Sequence, residues 1–279
     1  MYKNNNAQST IDYYNRRESR LGYKAVVRGT KHYGYYPRGV KLNMQQAQRY
    51  MESMLGARLR QNKGARVLDA GCGEGYVAMH LAQEFGYEVH GIDLLDWSIV
   101  GANKNKQVSG VAERLIFKSG DYSSTGFPDN YFDAVYTMET LVHSPDYSKT
   151  LKEFRRILKP GGVLVNQEYV LADKLPANDE DAWRFMFEDC PMPTFEHFRE
   201  SRMKSIWENA GFANTVVMDA SDNVVPFMKR FYQLAFVPFQ LLRIIGKERR
   251  FVNIFAAVKS YNLRHQFRYT IISSQKPII

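Results

Sequence analysis

Ala65-Arg66-Val67-Leu68-Asp69-Ala70-Gly71-Cys72-Gly73-Glu74-Gly75-Tyr76 decides the fold of this chain: a short apolar strand stops at an acid, passes three alternating glycines and opens into a helical pattern. A strand-turn-helix of this kind presents a backbone edge to a nucleotide-like ligand. Glycine is needed there because, with no Cβ, it takes positive φ and lets a ligand come close to the main chain. The dinucleotide fingerprint G-x-G-x-x-G requires glycine at position 76, where Tyr76 stands instead. What remains is G-x-G-x-G preceded by Asp69.

Outward from that turn, strand-like and helix-like segments alternate, which predicts a parallel sheet with crossover helices. Strands are expected over 67–70, 87–93, 114–118, 132–138, 163–170, 215–218 and 267–273. Helices are expected over 76–85, from Asp96 or Ser98 towards Val108, over 146–158 and over 195–210, the last closed by Gly211. Lys159-Pro160-Gly161-Gly162 reads as the stop of the third of these. The fold class is therefore α/β: a Rossmann-like, doubly wound sheet of seven mostly parallel strands, with helices on both faces. Residues 1–60 read as an N-terminal lid and helical extension containing a helix over 45–59, and residues 61–279 as the core. Cap insertions are expected at about 171–195, rich in acids and proline, and at 224–262, apolar and basic at helical spacing. Residues 11–40 are rich in Tyr, Arg and Gly with no clean period, and no internal repeat is visible.

Size and charge set the outer limits. The 279 residues are 44% hydrophobic, enough for a large core, and contain no apolar run of the roughly 18 to 20 residues that span a bilayer. The start Met1-Tyr2-Lys3-Asn4-Asn5-Asn6 is too polar for a secretory signal, so the expectation is a cytoplasmic protein. Cys72 and Cys190 have neither disulfide nor metal-ligand spacing; two reduced thiols and no metal are expected. The net charge of +9 is unevenly spread: residues 1–41 carry 9 basic and 2 acidic side chains, residues 226–279 carry 10 and 1, and the middle is acidic. A basic, aromatic C-terminal part admits peripheral contact with acidic phospholipid, or a solvated face on a helical cap. The apolar residues of 224–245 admit capping of a pocket, contact with a second copy or rest on a membrane surface. Nucleic acid is not an expected partner, because the fourth strand lacks the Asn/Asp-Pro-Pro-Tyr signature and reads Met138-Glu139-Thr140-Leu141.

In a doubly wound sheet the ligand lies outside the carboxyl ends of the strands. Asp93, at the end of the second strand, suits two ribose hydroxyls, with Leu94 beside it. Asp121 suits an adenine amino group, with Tyr122 stacking nearby. Asp69 suits an ammonium group, directly or through water. Any one of these acids alone could be a helix cap. Together with Gly71, Cys72, Gly73 and Gly75 they form a cofactor set.

The glycine turn with Asp69 resembles the first motif of the class I S-adenosylmethionine-dependent methyltransferases. The stretch Gly120-Asp121-Tyr122, Phe127-Pro128-Asp129-Asn130-Tyr131-Phe132-Asp133 and Glu139-Thr140-Leu141-Val142-His143-Ser144-Pro145 is similar to the sterol C-methyltransferases, as are Lys159-Pro160-Gly161-Gly162 and Glu168-Tyr169. The likeness covers most of residues 30–220. It departs at Gly29-Thr30-Lys31-His32-Tyr33-Gly34-Tyr35-Tyr36 and in the C-terminal part, where an acceptor would be covered. The resemblance implies S-adenosyl-L-methionine as cofactor and a hydrophobic, ring-containing small molecule as acceptor, with carbon favoured over nitrogen or oxygen as the methylated atom.

Such a reaction is an in-line displacement. The protein positions the two reactants, excludes water and accepts a proton. His143 is the first candidate base, because its ordinary pKa lies near working pH. Glu139, also a candidate for the methionine end of the cofactor, is the second, and Glu168 the third. Tyr33, Tyr35 and Tyr36 are expected either as an aromatic lid, in which π faces stabilise a nearby cation by about 0.5 to 2 kcal/mol, or as packing against the core. Trp183 is expected in the acceptor wall.

Overall fold

The apolar alternation after Gly64 closes into a single sheet. The computed structural model describes residues 7–16, 30–195 and 197–278. The polar start at 1–6 and residues 17–29 of the expected N-terminal lid lie outside the described residues. Strands β1 (Arg66–Ala70), β2 (Glu88–Asp93), β3 (Leu115–Ser119), β4 (Phe132–Met138), β5 (Leu158–Leu171), β6 (Ala213–Asp219) and β7 (Phe267–Gln275) take the order β3-β2-β1-β4-β5-β7-β6. The first five pair in parallel, and β7 runs antiparallel between β5 and β6. The direction of winding reverses between β1 and β4, so the crevice at their carboxyl ends is where a ligand is expected. Val67, Leu68, Val135, Tyr136 and Val165 have no exposure, as strands covered on both faces require.

The crossover helices obey local rules. Helix α3 (Tyr76–Phe85) starts directly off the glycine turn and ends at Gly86, whose φ of +70° closes the last turn. Helix α4 (Asp96–Gln107) connects β2 to β3, and α5 (Tyr147–Ile157) is capped by Asp146, whose side chain accepts the Lys149 amide. Ahead of the core, α1 (Ala7–Asn15) is a helix in a stretch with no sequence period, and α2 (Met44–Leu59) begins at a reciprocal Asn43–Gln46 capping box. After β5 come α6 (Glu180–Asp189) and α7 (Met203–Asn209), then α8 (Ser221–Ile244) and α9 (Val252–Asn262), which flank a turn at Gly246 with φ of +63°.

Two expectations are corrected. Strand β5 does not wait until residue 163: Leu158 already pairs with Phe132, and Lys159 to Gly162 lie inside the strand. The register shifts between Phe132 and Ala134, and this irregularity accommodates Pro160. Lys159 Nζ also reaches Asp133 Oδ1 at 2.5 Å, and the Gly161 amide donates to Lys276. The expected helix over 195–210 is only α7. Upstream, Thr194 Oγ1 donates to the Val142 carbonyl, and Arg199 is extended and bridged to Leu171. Those long-range ties hold the chain out of α-helical geometry until Met203, with one 3-10 turn over Glu200–Arg202 leading in.

Candidate active site

The turn after β1 is shaped by its glycines and held by β2. Gly71, Gly73 and Gly75 have φ of +92°, +53° and +79°. A Cβ on Gly71 would stand 2.7 Å from the Thr140 methyl, and one on Gly75 would stand 2.7 Å from the Phe117 ring. Gly73 differs: a Cβ there would meet nothing within 4 Å, because this residue faces open space. The amides of Gly71 and Cys72 both donate to the Ile92 carbonyl, and Asp93 Oδ2 accepts the Gly73 amide at 2.8 Å. Asp93 Oδ1 accepts the Leu95 amide at 2.9 Å, so the end of β2 fixes both the glycine turn and the start of α4.

This turn forms one end of a cavity of about 540 Å³. Asp69, Gly71, Cys72, Gly73, Asp93, Leu94 and Tyr122 line that end. Asp69 is 3% exposed, and the buried Tyr136 hydroxyl, its neighbour across the β1–β4 pair, is the hydrogen-bond partner of its carboxyl. Burial pushes its carboxyl up to about 7, and the neighbouring Asp93 charge acts in the same direction. A carboxylate buried this deeply is stabilised by any further donor that a ligand brings. The open face of Gly73, with the buried acids Asp69 and Asp93 beside it, fits S-adenosylmethionine: Asp69 would take the ammonium and Asp93 a pair of hydroxyls. The Cys72 thiol is pushed far up by burial and the two acids, which makes it a wall atom.

Aromatic residues surround the other end, with Tyr33, Trp183, Phe187, Phe195, Phe227 and Phe267 in its wall. Trp183 is anchored by its indole N–H to Gln266 Oε1 at 2.8 Å. Glu139 stands where the two ends meet. It takes a left-handed φ of +57°, a strained conformation for glutamate, and its Oε1 accepts both the Tyr33 amide at 2.8 Å and the Tyr269 hydroxyl at 2.9 Å. Burial pushes its pKa to about 7, against the opposing pull of His32.

His143 follows on the single 3-10 turn Leu141–His143. Its Nδ1 lies 2.7 Å from the Pro191 carbonyl oxygen, which only accepts, so Nδ1 carries the proton and Nε2 keeps its lone pair. The Tyr14 hydroxyl donates to that Nε2 at 3.1 Å. Burial holds the ring below the ordinary histidine range, which keeps it neutral and basic at one known atom.

Five expected residues stand apart from the cavity wall. Tyr35 stacks on Tyr50 with ring centroids 5.5 Å apart, and Tyr36 packs near Arg230, its amide donating to Asn223, so only Tyr33 of the three reaches the cavity. The strap over 30–36 is extended, and its alternate side chains point away. Asp121 Oδ1 accepts the Ser123 amide and closes its own turn. Glu168 is fully buried, with Oε2 accepting the Val142 amide and Oε1 the Tyr169 amide; it supports the His143 turn rather than touching a ligand. Gly75 serves the helix start.

Other residues at the site escaped the sequence reading. Lys31 lines the cavity with its ammonium over the rings of Trp97 and Tyr14. His32 donates from Nε2 to Glu52 at 3.1 Å and from Nδ1 to the Tyr33 carbonyl at 2.9 Å, so it is an imidazolium buried within the wall; the Glu52 pair outweighs burial and raises its pKa. Tyr14 gave no signal, because nothing local in an aperiodic stretch says what it will face; Lys31 and His32 lay in the quoted 29–36 stretch but were given no role. Thr140 lay within the quoted Glu139–Pro145 element and was legible by position; its hydroxyl donates to Ala70 under the glycine turn.

Residues 43–217 match the methyltransferase domain family. The chain belongs to that family. Over 274 residues, 95% of this chain and 94% of the other, it is 32% identical to the S-adenosyl-L-methionine-dependent Diels-Alderase iccD of Talaromyces variabilis. It is 38% identical to the sterol 24-C-methyltransferase erg6 of Aspergillus fumigatus over 122 residues, 44% of this chain and 32% of that one. Among solved structures, the [4+2]-cyclase SpnF superposes with a TM-score of 0.80 at 24% identity, covering 98% of this chain and 97% of the other. A geranyl diphosphate methyltransferase in complex with geranyl diphosphate and sinefungin superposes at 0.71 and 18% identity, over 96% and 98%. These structural likenesses bear out the Rossmann-like fold. Membership of the methyltransferase domain family makes the protein an enzyme of that class.

Proposed function

We propose that the protein uses S-adenosyl-L-methionine to methylate a hydrophobic, ring-containing small molecule. The observation that carries this reading is one cavity in which the glycine-turn end and an aromatic end meet at Glu139. The bound cofactor supplies an electrophilic methyl group on a sulfonium centre. Asp69 and Asp93 hold its charged and hydroxylated ends, and the Gly73 backbone lets it lie close. The aromatic wall orients an apolar acceptor and excludes water, which is most of what a methyl displacement asks of a protein. Glu139, poised near 7, is suited to take the proton released as the methyl bond forms, and His143 Nε2 can take it by way of the Tyr14 hydroxyl that donates to it. Carbon is the favoured nucleophile, with nitrogen and oxygen as alternatives.

A second reading is favoured by one observation: relatives matched over nearly their full length include a Diels-Alderase and a [4+2]-cyclase. In that reading the same cavity folds a polyene onto itself, and no proton acceptor is needed. The purified protein, incubated with extract of the source organism and methyl-labelled S-adenosylmethionine and compared with extract alone by mass spectrometry, separates the two. A product one methylene heavier carrying the label supports methyl transfer. An unlabelled product of unchanged mass, formed without release of S-adenosylhomocysteine, replaces it with cyclisation.

A further inference from the structure

The distal half of α8 leaves a run of large apolar residues in water. Leu234, Val237, Leu241 and Ile244 are 60%, 62%, 61% and 82% exposed, and Ile245 is 60% exposed. Their spacing of three, four and three residues puts them on one stripe of the helix, while Ala235 and Phe239 on the adjoining face are buried. An exposed apolar stripe of this length marks a surface that is covered in use. The charge beside it identifies the cover. Arg243 sits within the last turn of the helix and Lys247, Arg249 and Arg250 follow it, and all four are exposed. Arg249 pairs with Asp181, whereas Arg243, Lys247 and Arg250 make no ion pair among the described residues. Residues 226–279 hold ten basic side chains and one acid, Glu248.

No helix among the described residues is long and apolar enough to cross a membrane. We infer that α8 and the basic turn after it form a docking surface for the face of an anionic lipid bilayer, with the apolar stripe entering the interfacial layer and the arginines and lysines meeting headgroup phosphates. Leu234 and Pro238 belong both to this exposed half of the helix and to the cavity wall, so the docked surface abuts the mouth of the cavity. Docking itself does not depend on the reaction proposed above.

Co-sedimentation of the full chain with phosphatidylcholine vesicles, and with phosphatidylcholine–phosphatidylserine vesicles, tests this surface. Binding is expected to the anionic vesicles alone and to weaken as salt is raised. The variants Leu241→Glu/Ile244→Glu and Arg243→Glu/Lys247→Glu are each expected to weaken it by about tenfold or more, since one removes apolar burial and the other reverses the attraction. None of these four residues lines the cavity, so thermal unfolding and S-adenosylhomocysteine binding stay as in the wild type and certify the variants. Absence of sedimentation with either vesicle overturns the inference. So does a concentration-dependent dimer, seen by light scattering, that Leu241→Glu/Ile244→Glu abolishes while vesicle binding is absent: a second copy then covers the stripe.

Discussion

At the residue scale, the site depends on carboxyl groups held in unfavourable surroundings. Glu139 is displaced upward to about 7, so the base it offers exists only above that pH. If it takes the acceptor proton, kcat/KM rises about tenfold per pH unit below 7 and levels above it. Glu139→Gln removes that limb and lowers turnover by roughly 100-fold or more, the usual contribution of a general base. Stability moves the other way. A carboxyl whose folded pKa is raised favours the folded state at low pH and loses that contribution as pH rises from its ordinary value near 4.5 through 7. Glu139→Gln keeps an oxygen for Tyr33 and Tyr269, so its unfolding free energy is expected to exceed that of the wild type at pH 8 by on the order of 1–3 kcal/mol and to match it near pH 4. Denaturant titrations at the two pH values check this. Gly73→Val acts differently, because the site has room for a Cβ: the side chain fills space meant for the cofactor and the left-handed φ is strained. S-adenosylhomocysteine binding, followed by calorimetry, is expected to fall at least about tenfold, or 1.4 kcal/mol.

At the scale of elements, the strap over 30–36 is tied down more than it is packed. Gln48 on α2 donates to the Thr30 and His32 carbonyls, Glu139 accepts the Tyr33 amide, and Asn223 donates to the Tyr36 carbonyl. Beneath the strap, Glu52 is buried against His32, Arg49 and His80. Burial alone would raise the Glu52 carboxyl, but the His32 bond and the surrounding positive charge hold it below its ordinary value. Glu52→Ala strands the buried His32 imidazolium, and removal of one partner of a buried pair costs about 3–5 kcal/mol, read as a lower urea midpoint. The raised His32 pKa contributes stability that is complete below its unfolded value near 6.5 and fades as pH climbs through the folded value above it. The wild-type advantage over Glu52→Ala is therefore expected to shrink on the alkaline side.

At the scale of the whole molecule, a cofactor bound only by the folded state couples the turn after β1 to global stability. At 100 times its dissociation constant, S-adenosylhomocysteine adds about 2.7 kcal/mol. For a chain of this size that is a Tm rise of roughly 4–6 °C, measurable by scanning calorimetry and absent in Gly73→Val. The sequence by itself determined the donor half of the molecule: the doubly wound, mostly parallel sheet, the glycine turn and Asp69 and Asp93 at the strand ends. Period, turn chemistry and strand-end acids are local, and a parallel sheet repeats them within a few residues. It misplaced what depends on contacts far along the chain. Strand β5 absorbs Lys159 to Gly162 because Phe132 and Lys276 pair with it, and the helix expected from residue 195 is held open by Leu171 and Val142. The tertiary structure alone decided the acceptor half, where Tyr14 meets His143 across 129 positions and Tyr269 meets Glu139 across 130. No local pattern encodes such pairs, because a side chain's partner across a cavity is set by how whole elements pack.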